Sequence, residues 1–213
     1  MRYGIFAIGA FVLLSIAVPQ VGKAYTFTLH QQFPDIFADF LTVTYTASGG
    51  GSGTLTASGF ASTLTVPPTD PISGTTTYTL TANINAEALQ SGTLTIDGKV
   101  AALGYNSGTL LTGTLTGLSV GDNSNIAYVT FTPTGGDAYT SGLFVKSGGI
   151  ILNLATVTPP SSAATFFASS FSSAGNTGVS DNFSTIPEPV TGVLTLMGLA
   201  TCALASRRRG QRS

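Results

Sequence analysis

Few residues in this chain are of types that do chemistry. His30 is the only histidine and Cys202 the only cysteine among 213 residues. A hydrolase triad would need His30 as base, between a Ser nucleophile and an Asp that orients the ring. No G-x-S-x-G elbow nominates that Ser. His30, in Leu29-His30-Gln31-Gln32, reads as a surface histidine on an edge strand. Cys202 sits inside an apolar stretch, where a thiol behaves as a small hydrophobe rather than an activated nucleophile. Paired carboxylates could hydrolyse a glycoside, and Asp35 and Asp39 are four residues apart. Pro34 and the aromatics around them point to a loop or short turn with solvated acids. Calcium would take loop carboxylates and carbonyls. Asp122, Asn123 and Asn125 cluster after Gly121, and Asp137 follows Gly135-Gly136. There is no EF-hand loop or G-G-x-G-x-D array, and Asp and Asn favour turns for their own reasons. The sequence therefore assigns no catalytic, cofactor-binding or metal-binding residue, and the expectation is a non-enzymatic protein without a cofactor.

Binding is the remaining chemistry. Carbohydrate sites use aromatic platforms. The chain has 13 Phe and 7 Tyr but no Trp, and Tyr45, Tyr78, Tyr105, Tyr128 and Tyr139 fall where strands are expected. Its 33 Thr could instead carry glycans. Charged residues are only 8% of the chain and net charge is -1, so no basic footprint for nucleic acid exists.

The two ends read as addresses. Arg2 precedes an uncharged apolar run from Tyr3 to Val18; Pro19 breaks it, and Gly22-Lys23-Ala24 offers small residues at a cleavage site. This is the pattern of a secretory signal peptide, residues 1–24, cut after Ala24. Near the other end, Val190 to Ala205 is apolar or small throughout, and Arg207, Arg208, Arg209 and Arg212 follow it. As a helix these residues reach about 24 Å, slightly short of a ~30 Å hydrocarbon core, and flanking residues extend them. The arginines act as a membrane stop and stay cytoplasmic by the positive-inside rule, placing residues 25–186 outside. Ile186-Pro187-Glu188-Pro189 stands at the head of this helix. Its two prolines keep the chain extended and open to a membrane-embedded peptidase.

The ordered trio of Pro187-Glu188-Pro189, apolar helix and Arg cluster resembles the PEP-CTERM sorting signal of Gram-negative bacteria that make extracellular polysaccharide. The resemblance spans residues 186–213 and implies recognition of Pro187, Glu188 and Pro189 by an exosortase. It further implies cleavage near the triplet and transfer from transient inner-membrane anchoring to the cell surface or matrix. It says nothing of residues 25–186. The alternative for that segment is a carbohydrate-binding module attached to the producer's own polysaccharide.

The elements between the two ends read as β-strands. Thr77 to Asn85 runs T-Y-T-L-T-A-N-I-N, with Tyr78, Leu80, Ala82 and Ile84 on one face. Period two with one apolar face argues for antiparallel strands, and β-branched Thr suits the wet face. Turn signals recur at Gly49-Gly50-Gly51, Pro67-Pro68, Asp97-Gly98, Gly121-Asp122, Gly135-Gly136, Gly148-Gly149 and Pro159-Pro160. Asp97-Gly98 is expected to turn a hairpin, and Glu87-Ala88-Leu89 is the one mid-chain fragment that looks helical. The phrase Ser-Gly-Thr-Leu recurs at Ser52, Ser91 and Ser107 with unequal spacing, which marks strand starts rather than a solenoid. The expectation is an all-β, antiparallel, β-sandwich-like single domain over 25–171. A flexible stalk over 172–185 follows it, and then the sorting signal over 186–213. The mature segment holds two Lys and eight acids, a net charge of -6 that disfavours polyanionic partners.

Overall fold

The computed structural model describes residues 33–121, 124–158 and 162–181. About 71% of them are strand. The alternation that makes these strands is visible in the burial of each. In β4 (Ser73–Asn85), Tyr78, Leu80, Ala82 and Ile84 are buried, while Thr79 and Asn83 are exposed. β1 (Asp35–Gly49), β2 (Ser52–Thr65), β5 (Ala88–Val100) and β6 (Tyr105–Val120) follow the same rule. β7 (Ile126–Gly135), β8 (Gly148–Leu154) and β9 (Phe171–Asp181) complete the wall, and β3 (Thr69–Pro71) is a short strand beside the end of β2.

Every pairing is antiparallel, and the order is β1-β9-β8-β7-β6-β5-β4-β2-β3 with β1 also paired to β2. Tyr45 shows the closure: it faces Leu55 of β2 on one side and Phe171 of β9 on the other. Eight strands thus form a closed up-and-down barrel with no long free edge. The expectation of an all-β antiparallel fold holds, but one sheet closes on itself where two facing sheets of a sandwich were expected. Period two is common to both architectures, and only the pairing of β9 with β1 separates them.

The interior is apolar and filled. Tyr45, Tyr78, Phe131, Phe144 and Phe167 are its largest fully buried side chains, packed with Leu, Ile and Val. Small residues give these rings room, as the taper of a narrow barrel requires. A Cβ on Gly53 would lie 2.7 Å from the Tyr45 ring, and one on Gly148 would lie 2.3 Å from the Phe131 ring. At the end where β1 starts and β9 finishes, helix α1 (Asp137–Thr140) and its following segment bring Ala138 and Phe144 into the core. At the opposite end, helix α2 (Ala163–Phe166) builds an aromatic lid. Phe167 meets Tyr45 edge-on at 5.2 Å, and Phe166 meets both Phe167 and Phe171 at 4.9 Å. The outer wall is mostly Thr, Ser and Asn. Apolar inside with hydroxyls outside reverses the arrangement of a membrane-spanning barrel, whose outer face is apolar. Among the described residues no helix is long and apolar enough to cross a membrane.

Several local expectations are corrected. Residues 172–185 were expected to be a stalk, yet through Asp181 they form β9, which closes the barrel between β8 and β1. Asp97-Gly98 does not turn a hairpin. Both lie inside β5, where Asp97 accepts the Thr77 hydroxyl at 2.8 Å and the Thr109 hydroxyl at 3.2 Å. Gly98 sits at a register shift, and the chain reverses instead through the 3-10 turn Ala101–Leu103. The Glu87 region is not helical: Ala86 and Glu87 have φ of 48° and 66° and make the two-residue turn from β4 to β5. Ser91-Gly92 and Ser107-Gly108 lie within strands, and only Ser52 begins one.

Two phenols in the interior have a measurable consequence. No hydrogen bond reaches the buried Tyr45 and Tyr78 hydroxyls. Burial pushes Tyr78 well above the usual phenol range, opposed in part by nearby Thr177; the Thr177 hydroxyl is itself given to the Ile151 carbonyl at 2.8 Å. The unfolded chain loses the Tyr78 proton near its ordinary pKa of about 10, while the folded chain holds it. This contribution to stability is complete below about pH 10 and falls away above it, by at most about 1.4 kcal/mol per pH unit for this group. Tyr78→Phe is therefore expected to match or exceed the wild type in urea stability at pH 8 and to decline less between pH 10 and 11.5. Identical alkaline decline in both proteins would count against the assignment.

Candidate functional site

The outer wall, not the interior, carries the arrangement that could bind something. Strand register aligns its hydroxyls. Thr44 faces Thr56, Thr56 faces Thr81, Thr81 faces Thr93, Thr93 faces Thr114 and Thr114 faces Thr132, so one row of threonines crosses six strands. On one side runs the row Thr46, Thr54, Asn83 and Ser91; on the other runs Thr42, Ser58, Thr79, Thr95 and Thr112. Neighbours within a row are about 4.8 Å apart, and the rows are about 6.8 Å apart. None of these residues is charged. Some hydroxyls bond along the row: Thr44 and Thr56 are 2.6 Å apart, and the Asn83 amide donates to Ser91 at 3.1 Å.

Two aromatics stand at the margin of this grid. Phe60 follows the Ser58 row on β2 and is 58% exposed; Phe40 precedes the Thr42 row on β1 and is 85% exposed. Their strands meet at an irregularity. Asp39 pairs with Phe60 and Thr42 with Ser58, so β1 carries two residues where β2 carries one. Phe40 occupies this bulge with φ of 53°, a left-handed conformation uncommon for a bulky residue. The reason is inside the wall. Leu41 must face the core, and it lies over Gly59, where a Cβ would approach it to 2.6 Å. The extra residue turns Phe40 outward. Beside the pair, the Asp39 carboxylate accepts the Ser62 hydroxyl at 3.4 Å, and Asn176 lies across β1 in the gap that the bulge leaves in the register with β9.

Of the residues singled out by sequence, those within the described structure are not brought together. Ala24, His30, Pro187, Glu188, Pro189, Cys202, Arg207, Arg208, Arg209 and Arg212 lie outside the described residues, as do Asp122 and Asn123. Asn125 precedes β7 and bonds the Leu154 carbonyl, whereas Asp137 follows β7 and accepts the Ser107 amide at 3.0 Å. The strand between them sets Asn125 and Asp137 at opposite ends of the barrel, so Asp137 does not join Asn125 in one site. Asp35 and Asp39 lie in β1 rather than in a loop, separated by about 13 Å of extended chain, too far for a glycosidase pair. Asp35 is buried and accepts the Ser180 hydroxyl. Among the described residues no three His, Cys, Asp or Glu side chains are grouped to hold a metal. Tyr105 and Ser141 share a 2.6 Å hydrogen bond near α1 with no histidine in the described structure to act as base.

The tyrosine platform is not formed. Tyr45 and Tyr78 face the core, Tyr128 is buried, and Tyr105 and Tyr139 stand apart near α1. Sequence reasoning missed Phe40 and Phe60. A signal was present: Leu55, Ala57 and Ala61 share one parity on β2, which places Phe60 outside, and Phe40-Leu41 breaks the alternation as a bulge does. Comparison of the chain with family models, curated proteins and solved structures finds no match.

Proposed function

We propose that this chain is an exported, non-enzymatic surface or matrix protein that displays a rigid barrel. In this reading the leader is removed after Ala24. The C-terminal segment 190–205 holds the protein transiently in the inner membrane, with Arg207, Arg208, Arg209 and Arg212 on the cytoplasmic side. An exosortase-type membrane peptidase recognises Pro187-Glu188-Pro189 and cuts there, passing the barrel to the cell surface or polysaccharide matrix. One observation of the fold supports display: both ends of the described chain leave the same end of the barrel. Ser180 pairs with Asp35, and the Asp181 amide donates to the Pro34 carbonyl at 3.1 Å. A tether after Asp181 thus leaves the opposite end and most of the wall clear. The filled interior further supports a role carried by the outer surface.

The test is the intact mass and C-terminal peptide of the protein recovered from its producing cells. The expected C-terminus lies near Pro187 to Pro189, and replacing the triplet with alanines should leave full-length protein in the inner membrane. An intact Arg-rich tail in the wild type, or unchanged release of the alanine variant, would overturn the reading.

A further inference from the structure

We infer that the outer wall of β1, β2, β4 and β5 binds a neutral polysaccharide, stacked on Phe40 and Phe60 and hydrogen-bonded across the threonine rows. Two independent observations meet here. The first is the exposed aromatic pair. Large apolar side chains on a soluble face are unfavourable, and Phe40 is also held in a left-handed conformation that costs on the order of 1 kcal/mol. The bulge satisfies Leu41 inside by presenting a ring outside. The second is the grid of hydroxyl and amide side chains, in register across these four strands and without a charge.

The chemistry of the patch selects the occupant. A sugar ring offers an apolar C–H face for the phenylalanines and a girdle of hydroxyls that both donate and accept, as Thr, Ser and Asn do. An extended polymer running across the strands meets equivalent side chains on every strand, spaced about 4.8 Å. Asp39 and Asp97 lie at the margin, with Lys99 one outward position beyond Asp97 on β5, so the border is net acidic and favours a neutral polymer over a polyanion. Strand addition by a peptide needs an unpaired edge, whereas β1, β2, β4 and β5 are each paired on both sides along this patch. The inference concerns the wall alone and does not depend on the sorting reading.

The test is native affinity electrophoresis of the full chain in detergent, through gels containing hydroxyethylcellulose, dextran or galactomannan, with alginate as the polyanion. At least one neutral polymer is expected to retard the protein more than alginate does. Phe40→Gly removes the ring and relieves the backbone, so its fold is retained; its affinity should fall about tenfold. The triple variant Thr56→Val, Thr81→Val, Thr93→Val keeps shape and strand preference while deleting hydroxyls, and should weaken binding similarly. No retardation by any neutral polymer would overturn the inference. So would stronger retardation by alginate, or unchanged binding by both variants. A concentration-dependent dimer abolished by Phe40→Gly would assign the aromatic pair to a second copy of the chain and would equally overturn it.

Discussion

A chain stopped after Ser170 is expected not to fold, whereas one stopped after Asp181 should melt cooperatively. The difference is strand β9. Its removal strips both neighbours at once, because Val179 pairs with Ile36 of β1 and with Ile150 of β8. Two long edges would then offer unpaired amides and carbonyls to other chains. The core would lose fully buried Val179 and Thr177 and open onto Tyr78 and Leu152. Losing one wall of a closed barrel removes more than the few kcal/mol that separate folded from unfolded chains. Circular dichroism during heating, with sedimentation to detect aggregates, distinguishes the outcomes. Matching cooperative melts for the two truncations would mean that residues 171–181 are a tether after all.

Gly148→Ala is expected to cost roughly 3 kcal/mol, at the upper end of overpacking effects, and to lower Tm by about 10 °C. The added Cβ would meet two atoms of the Phe131 ring at 2.3 and 2.4 Å and the Ser180 carbonyl oxygen at 2.9 Å. The ring cannot retreat, because Gly113 already receives its other side, with a Cβ there only 2.6 Å from the ring. Phe131→Leu added to Gly148→Ala should recover part of the loss, since the smaller side chain vacates the contested volume. Gly104→Asn is the contrast. Its φ of 75° suits Asn and nothing lies within 4 Å, so its effect should stay within about 0.5 kcal/mol. A Gly148→Ala protein as stable as wild type would contradict the packing described here.

The strands were legible wherever one face was strongly apolar. Tyr78, Leu80, Ala82 and Ile84 declare their inward face without help from the rest of the chain. β9 was not legible because its inward residues are small or polar: Ser173, Gly175 and Thr177 precede Val179. Thr177 faces Tyr78 of a distant strand, and a Cβ on Gly175 would meet the Asn153 carbonyl oxygen at 2.3 Å. A local window cannot contain that information, and the segment reads as a linker. Asp97-Gly98 misled for a related reason. Its turn preference is outweighed by Ile96 and Val100, which must both face inward, and by cross-strand threonines that satisfy the carboxylate. Closure is likewise a property of register between the first and last strands. Of the candidate surface, the threonine periodicity was readable, but its alignment into rows depended on register that no single strand encodes.

The position of β9 bears on how the molecule would carry load. Tension applied at Asp181 along the strand would pull against two hydrogen-bonded ladders in parallel, one to β8 and one to β1. In that shear geometry the bonds resist together, whereas a hairpin peeled from its end yields one bond at a time. Closing the barrel with β9 therefore also makes that strand a mechanical clamp.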